Sequence, residues 1–438
     1  MVLVAVVVAL DAHKRWAWPS LKPRLQARRP LLFGRRMFFR VELFAERVMP
    51  HLMNTYGRLP VAFTHGQGCR LLDEQGKSYL DALAGIAVNT LGHNHPRLVK
   101  ALSAQVGRLI HASNLYRISE AEALADRLAA LSAMDEVFFC NSGCEANEAA
   151  IKLARLYGHQ QGIEQPAIIV MEQAFHGRTL ATLSATGNRK VQAGFEPLVA
   201  GFVRVPFDDI AAIEQLATRN PNVVAVLFEP IQGEGGINLA HNDFMQVLRQ
   251  ICGRKNWLFM VDEVQCGIGR TGVWFAHQHA GIVPDVMTLA KGLGSGVPIG
   301  ACLAAGRAAG VFKPGNHGST FGGNPLACVA ALTTLDVIEA DGLMAHASKL
   351  GEAIRGGLKS GLSGVSGLVE VRGDGLMIGI ELDRPCADLA KRGLDAGLLI
   401  NVTADKVVRL LPPLTMSDAE GAELVAGLVP LIKEFLEA

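Results

Sequence analysis

The chain has 438 residues, and its 42 lysines and arginines nearly balance its 41 aspartates and glutamates, so the formal net charge is only +1. This length exceeds what one hydrophobic core normally supports and predicts at least two domains. The balanced charge and the 6% of aromatic residues argue against a nucleic-acid binder, which needs a basic surface or stacking rings.

The first 48 residues are predicted to be a disordered extension without a folded role. Their opening apolar block, residues 1–10, is much shorter than the roughly 20 residues needed to cross a bilayer. Basic residues follow that block, whereas they precede the apolar part of a secretory signal. We therefore expect neither a membrane span nor secretion.

The cysteines are scattered along the chain. None forms a C-x-x-C pair, and no group of cysteines and histidines has the spacing of a zinc site. This pattern is typical of small buried side chains in a reducing compartment. The sequence therefore predicts a cytoplasmic protein without a metal.

The segment 49–95 is predicted to form the first part of a smaller domain. Residues 61–63 and 69–73 have the composition of strands, and residues 74–77 have that of a hairpin turn before a strand at 79–81. A small antiparallel sheet is expected here.

Apolar runs alternate with helical patterns from residue 96 to residue 324. This alternation is typical of βαβ units and predicts an α/β fold whose large domain contains a doubly wound, mainly parallel sheet. A smaller α+β domain is expected to be completed by residues 325–438. The predicted strands of the large sheet are residues 137–140, 167–171, 202–205, 223–228, 257–261, 286–290 and 299–304.

Three polar motifs follow predicted strands. Ser142, Gly143 and Cys144 follow the first strand and begin a helix, where backbone N–H groups can hold a phosphate, although an ordinary helix cap looks the same. Phe175 and Arg178 can stack on a flat cofactor and bind a carboxylate, but a core ring and a surface ion pair explain them equally well.

The third motif is a glycine-rich loop that carries Glu229 and Glu234. Two carboxylates on such a loop after a strand fit the edge of a site better than a structural turn. A solvated side chain remains an alternative for Glu234. Farther along, the hydroxyls and glycines around Thr320 suit either a phosphate contact or a turn before a helix.

Two apolar runs end at charged residues, the first at Asp262 and the second at Lys291. Ligands of open α/β sheets bind at the carboxyl ends of the strands, so both charges are expected to serve one ligand. Burying an ammonium is costly, and a lysine with a depressed pKa is the usual amine of Schiff-base chemistry. Together with the helix cap and the stacking ring, the pair indicates pyridoxal phosphate (PLP).

In this order and spacing, the motifs resemble the class III, PLP-dependent aminotransferases of fold type I, over almost everything after Tyr56. The branch that acts on acetylornithine in arginine biosynthesis is the most similar, through residues 56–61, 85–89, 113–116, 175–179 and 409–414. Ornithine aminotransferases carry a tyrosine where Ile86 stands, and a smaller apolar side chain leaves room for an acyl group. One departure is Cys144, where alanine or threonine is commoner.

The resemblance implies a role for each matching residue. Lys291 binds the cofactor aldehyde and moves the substrate proton, and Asp262 keeps the ring nitrogen protonated. The other cofactor contacts are Ser142, Gly143, Cys144, Phe175, Gln265 and Thr320 of the partner subunit. The substrate contacts are Tyr56, Ile86, Arg178, Glu229, Glu234 and Arg409, with the last two pairing as a switch between substrates.

The resemblance further implies a homodimer with shared active sites that uses N2-acetylornithine and 2-oxoglutarate. Succinylornithine, N-succinyl-diaminopimelate and ornithine remain alternative substrates of the same chemistry. Two other classes of protein fit less well. A nucleotide-dependent oxidoreductase requires a glycine fingerprint that residues 141–144 lack, and a binding protein without a cofactor leaves Lys291 without a task.

Overall fold

The computed structural model describes residues 51–438, so the predicted extension at 1–48 lies outside the described residues. Of the described residues, 51–58 belong to one unit and Leu59–Ala438 to another, and every sheet described below belongs to the second unit.

The N-terminal sheet begins with an antiparallel meander, as predicted, although its first strand starts at Phe63 and not at residue 61. Its turn is held by Asp73, whose Oδ1 accepts hydrogen bonds from the backbone N–H groups of Gln75 and Lys77 at 2.9 Å. The strands are β1 (Phe63–Gln67), β2 (Arg70–Asp73) and β3 (Ser78–Asp81). A single turn, α1 (Ala84–Ala87), follows them.

The large sheet has seven strands in the order β4-β12-β11-β10-β7-β5-β6. Only β12 runs antiparallel to its neighbours, so the predicted α/β fold with a mainly parallel sheet is confirmed. Its strands are β4 (Glu136–Cys140), β5 (Ala167–Met171), β6 (Phe202–Val205), β7 (Val223–Phe228), β10 (Leu258–Asp262), β11 (Val286–Leu289) and β12 (Gly300–Ala304), while β8 (Ile231–Gln232) and β9 (Asn238–Leu239) form a separate hairpin.

Helices cover both faces of this sheet. Successive strand residues belong to different cores: Met260 packs in the core that contains helix α4, and Phe259 packs in the core that contains helix α8. Strands buried on both faces read as unbroken apolar runs, which is why the sequence located them well. The helices here are α2 (Pro96–Val106), α3 (Ser119–Ser132), α4 (Gly143–Gln160), α5 (Leu180–Ala185), α6 (Arg189–Gln192), α7 (Ile210–Arg219) and α8 (Asn242–Lys255).

The C-terminal part forms an antiparallel sheet with the order β13-β14-β17-β16, while β15 pairs in parallel with β3 and so joins the N-terminal sheet. The proposed domain boundaries at 49–95, 96–324 and 325–438 stay predictions. The elements are α9 (Pro325–Ala340), α10 (Leu343–Gly361), β13 (Leu368–Asp374), β14 (Met377–Leu382), α11 (Asp388–Asp395), β15 (Leu398–Leu399), β16 (Asn401–Thr403), β17 (Val407–Leu410) and α12 (Asp418–Glu437).

Within residues 51–438, no helix combines the length and the apolar character that crossing a bilayer requires. In the same range, no three His, Cys, Asp or Glu side chains are grouped so that they can hold a metal ion.

Candidate active site

The ends of strands β10 and β11 open into one cavity. The two strands are parallel neighbours, with Asp262 beside Thr288, and Lys291 follows two residues after the end of β11. Both charged side chains line a cavity of about 410 Å³. The same cavity is lined by seven other residues that the sequence singled out: Ser142, Gly143, Cys144, Phe175, Arg178, Glu229 and Gln265.

Lys291 offers a free amine to this cavity. Its Nζ makes no hydrogen bond or ion pair with any residue of the described part of the chain, and its backbone has a left-handed φ of 41°. Burial lowers the pKa of Lys291 below its ordinary value, although the nearby carboxylate of Glu234 acts in the opposite direction. A larger fraction of the amine is therefore neutral and nucleophilic near neutral pH.

Asp262 is buried and firmly held. Its Oδ2 accepts hydrogen bonds from Asn147 Nδ2 at 2.7 Å and from His176 Nδ1 at 2.8 Å, while its Oδ1 accepts one from the backbone N–H of Val264 at 3.0 Å. The sequence assigned no role to Asn147 or His176. Both lie inside the recognised motifs, so their positions beside residues with assigned roles were the only available signal.

The N-terminus of helix α4 forms one wall of the cavity. Ser142 caps the helix, and its Oγ accepts a hydrogen bond from the backbone N–H of Glu145 at 3.2 Å. The N–H groups of Gly143 and Cys144 precede the first intrahelical hydrogen bonds and carry the positive end of the helix dipole. A Cβ at Gly143 would lie only 2.7 Å from Val264 Cγ1, so this close approach requires glycine.

The thiol of Cys144 faces the segment that carries Arg178. Its Sγ lies 3.3 Å from Thr179 Oγ1 and 3.2 Å from Thr182 Oγ1, so the thiol is already hydrogen-bonded to two hydroxyls. Any anion contact at this position therefore falls to the backbone N–H. Nearby, the guanidinium of Arg178 is exposed and lies 5.6 Å from the centre of the Phe175 ring.

Glu229 is a buried acid at the edge of the cavity. Its carboxylate accepts hydrogen bonds from the backbone N–H groups of Phe175 at 2.9 Å and Gly233 at 3.3 Å. Burial raises the pKa of Glu229 to about 7, and the negative charge of Asp262 adds to this rise, while His176 opposes it. Glu229 therefore exchanges a proton close to neutral pH.

Glu234 and Arg409 form an ion pair beside the cavity. Arg409 is fully buried, and its Nη1 donates to Glu234 Oε1 at 2.6 Å and to Gln265 Oε1 at 3.2 Å. Burial pushes the pKa of Glu234 up, but the positive charges of Arg409 and Lys291 prevail and lower it. Arg409 Nη2 is buried and has no hydrogen-bond partner among the described residues, which leaves one donor for a ligand.

Glu234 lines a second cavity of about 750 Å³. Phe175 and Arg178 line both cavities, so they stand at the boundary between them. Gln265 lines the first cavity and contacts Arg409, which links the ion pair to the strand ends.

Ile86 does not line either of these two cavities, but Val88, two residues later, lines the first. Ile86 belongs to the turn α1, in which all four residues have left-handed φ angles between 49° and 68°. A β-branched residue in this conformation is a rare outlier, and such strain is concentrated at functional sites. Asp81 holds the start of the turn by accepting hydrogen bonds from the N–H groups of Leu83 at 2.9 Å and Ala84 at 2.8 Å.

Two more predicted residues are not brought into these cavities. Thr320 is exposed, in the segment before helix α9, where its neighbour Ser319 accepts a hydrogen bond from Asn141 Nδ2 at 3.2 Å. Tyr56 belongs to the unit that ends at Arg58; it is exposed, and the guanidinium of Arg58 lies 5.3 Å from its ring centre.

The residues around the first cavity fit PLP. The fit rests on the amine of Lys291, which has no partner among residues 51–438, the buried carboxylate of Asp262 and the close-packed glycine at the N-terminus of helix α4. These groups match an aldehyde, a ring nitrogen and a phosphate, respectively.

Comparison with known proteins points to the same chemistry. Residues 52–432 match the family model of "Aminotransferase class-III". The chain is 60% identical over 390 residues to the acetylornithine aminotransferase of Nitrosomonas europaea, which covers 89% of this chain and 99% of that protein. It is 49% identical over 379 residues to the acetylornithine aminotransferase of Thermosynechococcus vestitus, covering 84% of this chain and 92% of that protein.

Solved structures share the fold. The ornithine aminotransferase from Toxoplasma gondii ME49 aligns with a TM-score of 0.85 and 34% identity, covering 88% of this chain and 93% of that chain. The acetylornithine aminotransferase from Elizabethkingia anophelis aligns with a TM-score of 0.80 and 36% identity, covering 88% of this chain and 97% of that chain. A further structure of the Toxoplasma gondii enzyme has PLP at partial occupancy in its active site.

Proposed function

The chain belongs to the class III, PLP-dependent aminotransferases, and we propose that it transfers the δ-amino group of N2-acetylornithine to 2-oxoglutarate. The products are N-acetylglutamate 5-semialdehyde and glutamate, a step of arginine biosynthesis. The observation that carries the transamination is the single cavity shared by Lys291, Asp262 and the N-terminus of helix α4. The choice of substrate rests on the relatives that are 60% identical and are named for acetylornithine.

On the cofactor side, each residue acts on one part of PLP. When bound, PLP supplies an aldehyde that condenses with amines and a ring that withdraws electrons from the attached carbon. Lys291 would hold the aldehyde covalently until the δ-amine of acetylornithine displaces it, and the amine of Lys291 released in this way would accept the proton from Cδ of the substrate. Asp262 accepts a hydrogen bond from the ring nitrogen, and Phe175 covers the ring face.

The remaining cofactor contacts fix the orientation of the ring. Ser142, Gly143 and Cys144 bind the phosphate through the end of helix α4, and Gln265 donates to the phenolic oxygen. We also propose a homodimer in which Thr320 of the partner subunit completes the phosphate site.

On the substrate side, two arginines bind carboxylates. Arg178 stands at the boundary of the two cavities and binds the α-carboxylate, while Ile86 leaves room for the acetyl group. Arg409 binds a carboxylate of 2-oxoglutarate after Glu234 has moved away from it. Glu229 and Glu234 line the side where the substrate enters. We place this reaction in the cytoplasm.

The experiment that tests the function compares substrates on the purified enzyme. We expect kcat/KM with 2-oxoglutarate to be highest for acetylornithine, followed by succinylornithine, N-succinyl-diaminopimelate and ornithine. A higher value for ornithine would contradict the proposed choice of substrate but not the transamination. A protein that shows no visible absorption band after PLP is added would contradict the role of Lys291.

A further inference from the structure

The carboxylate of Asp262 is part of a buried hydrogen-bond network that extends to the next strand. Asn147 Nδ2 donates to Asp262 Oδ2 at 2.7 Å and to the backbone carbonyl of His176 at 2.9 Å. Thr288 Oγ1 donates to Asn147 Oδ1 at 2.8 Å, and His176 Nδ1 lies 2.8 Å from Asp262 Oδ2. At most 4% of the surface of any of these four residues is exposed.

Only one orientation of the Asn147 amide satisfies all the hydrogen bonds of this network. Its NH₂ group faces two atoms that only accept hydrogen bonds, a carboxylate oxygen and a backbone carbonyl. A flipped amide would place its oxygen against both acceptors and would break the network. The hydroxyl of Thr288 binds the amide oxygen and thereby holds the correct orientation. Because His176 Nδ1 also faces the carboxylate, that nitrogen carries the proton.

The two oxygens of Asp262 are therefore used differently. Oδ2 accepts from Asn147 and from His176, which engages both of its lone pairs. Among residues 51–438, Oδ1 accepts a hydrogen bond only from the backbone N–H of Val264, so one lone pair of Oδ1 is left for a ligand in the cavity that Asp262 lines. Hydrogen bonds to an ionised oxygen are short and strong, so two of them fix the rotation of the carboxylate.

We propose that Asn147, oriented by Thr288, is a positioning residue that turns Oδ1 of Asp262 toward the ring nitrogen of the cofactor. This inference rests on the proposed contact between Asp262 and that nitrogen. Asn147 acts through Asp262, and its removal lets the carboxylate rotate. The hydrogen bond to the ring nitrogen then weakens, and the nitrogen loses its proton more readily.

The test observes the ring nitrogen directly. Each variant is reconstituted with PLP labelled with ¹⁵N in the ring, and the ¹⁵N chemical shift reports whether that nitrogen is protonated. The affinity for PLP is measured by titration of the visible absorption band. We expect Asn147→Ala to move the signal toward the unprotonated position and to weaken PLP binding by about 10- to 100-fold, the range for losing a hydrogen bond to a charged group.

Thr288 provides a variant pair that leaves Asn147 in place. Thr288→Val keeps the shape and removes the hydroxyl, and we expect a shift in the same direction with PLP binding about threefold to tenfold weaker. Thr288→Ser keeps the hydroxyl and is expected to restore both values. Thr334→Val is the matched control. In the described part of the chain, the buried hydroxyl of Thr334 bonds only to the carbonyl of Ala330 in its own helix, so both values should stay at those of the wild type.

Asp262→Asn distinguishes a failure of the proposed contact between Asp262 and the ring nitrogen from a failure of the inference on Asn147. If this variant leaves the ¹⁵N signal of the ring in its wild-type position, the proposed contact of Asp262 with the nitrogen is wrong. If Asp262→Asn moves the signal but Asn147→Ala and Thr288→Val do not, the contact stands and the inference on Asn147 is overturned. Should Asn147→Ala fail to fold, the valine and serine variants of Thr288 decide: equal ¹⁵N shifts in both would also overturn it.

Discussion

The two sides of the active site are built differently. On the cofactor side, Asp262 accepts three hydrogen bonds, from Asn147, His176 and the backbone of Val264. On the substrate side, Glu234 and Arg409 bind each other at 2.6 Å, across 175 residues of the chain. A bound cofactor remains through the whole catalytic cycle, so the residues that bind it can be held in one fixed arrangement. We propose that two different substrates alternate on the other side, where the charges of Glu234 and Arg409 neutralise each other.

The largest expected effect comes from the cofactor side, through the replacement of Lys291. We expect Lys291→Ala to lower kcat by more than about a thousandfold, because the covalent hold and the proton transfer are both lost. Rates of glutamate formation measure this. The control is Lys349→Ala, which removes an exposed lysine that forms an ion pair with Asp418 and lines neither of the two cavities. Activity within tenfold of the wild type in Lys291→Ala would contradict the role of Lys291.

Glu229 tests, on the substrate side, how a buried charge affects the stability of the fold. Its ordinary pKa is 4.5 and burial raises it to about 7, so the folded state holds this proton more tightly. The stability of the wild type should therefore fall as the pH rises from 4.5 through 7. Glu229→Gln stays neutral, so its stability should not fall over this range, although its NH₂ group cannot accept one of the two backbone N–H bonds that Glu229 accepts. Relative to the wild type, the stability of the variant should therefore rise by about 3 kcal/mol between pH 4.5 and pH 8.

Unfolding by urea at several pH values measures this rise, which should be absent below pH 4.5, where both side chains are neutral. Glu122→Gln is the control, because Arg117 lowers the pKa of Glu122 and a gain of stability at high pH is not expected there. A gain for Glu229→Gln that is the same at every pH would show that titration is not its cause.

Arg409 tests the substrate side. Arg409→Lys keeps the charge but loses the planar fork that binds a carboxylate with two hydrogen bonds. We expect KM for 2-oxoglutarate to rise about 30-fold, while KM for acetylornithine changes less than about threefold. Half-reactions measured separately by absorbance give the two values. Arg384→Lys, at an exposed arginine that pairs with Asp383, should change neither. An equal rise for both substrates would remove the distinction between the two carboxylate sites.

Ile86 tests whether the strained turn chooses the substrate. We expect Ile86→Tyr to lower kcat/KM for acetylornithine about tenfold, because the larger ring occupies the space assigned to the acyl group, and to leave the value for ornithine unchanged or higher. Ile86→Val is the control, since it keeps a β-branched side chain at the same left-handed position. If Ile86→Tyr lowers kcat/KM for acetylornithine and for ornithine equally, the turn supports the fold but does not select the substrate.

The smallest effect concerns the loop that carries Glu234. Thr403 Oγ1 donates to the backbone carbonyl of Glu234 at 2.5 Å. Thr403→Val removes this bond, worth about 1 kcal/mol, so we expect a rise of about fivefold in KM for 2-oxoglutarate and unchanged PLP binding. Thr333→Val is the control, because its hydroxyl bonds only to the carbonyl of Val329 in its own helix. A loss of PLP affinity in Thr403→Val would show that the two sides are not independent.

The sequence located the strands of the large sheet and the charged residues at their ends. Strands β5, β6 and β7 have the predicted bounds. Both faces of β5 and β7 are buried and their apolar runs are unbroken, whereas β6 lies at the edge of the sheet and contains the exposed Arg204. Lys291 was recognisable because an amine that closes an apolar strand is unusual, and Asp262 was recognisable through its combination with that lysine, the helix cap and the stacking ring. The sequence pattern did not show that β12 runs antiparallel, since direction leaves no mark in an apolar run.

Only the tertiary structure decided the partners of these charges. Asn147 Nδ2 reaches Asp262 across 115 residues, and no spacing in the chain reports such a contact. The sequence also could not predict the left-handed turn at Ala84–Ala87, because Ile86 has no local preference for that conformation. Local chemistry determined which residues stand at the ends of the strands, because periodicity and composition act over a few residues. Packing determined what those residues touch, because buried polar groups bind whichever partner the fold brings within reach.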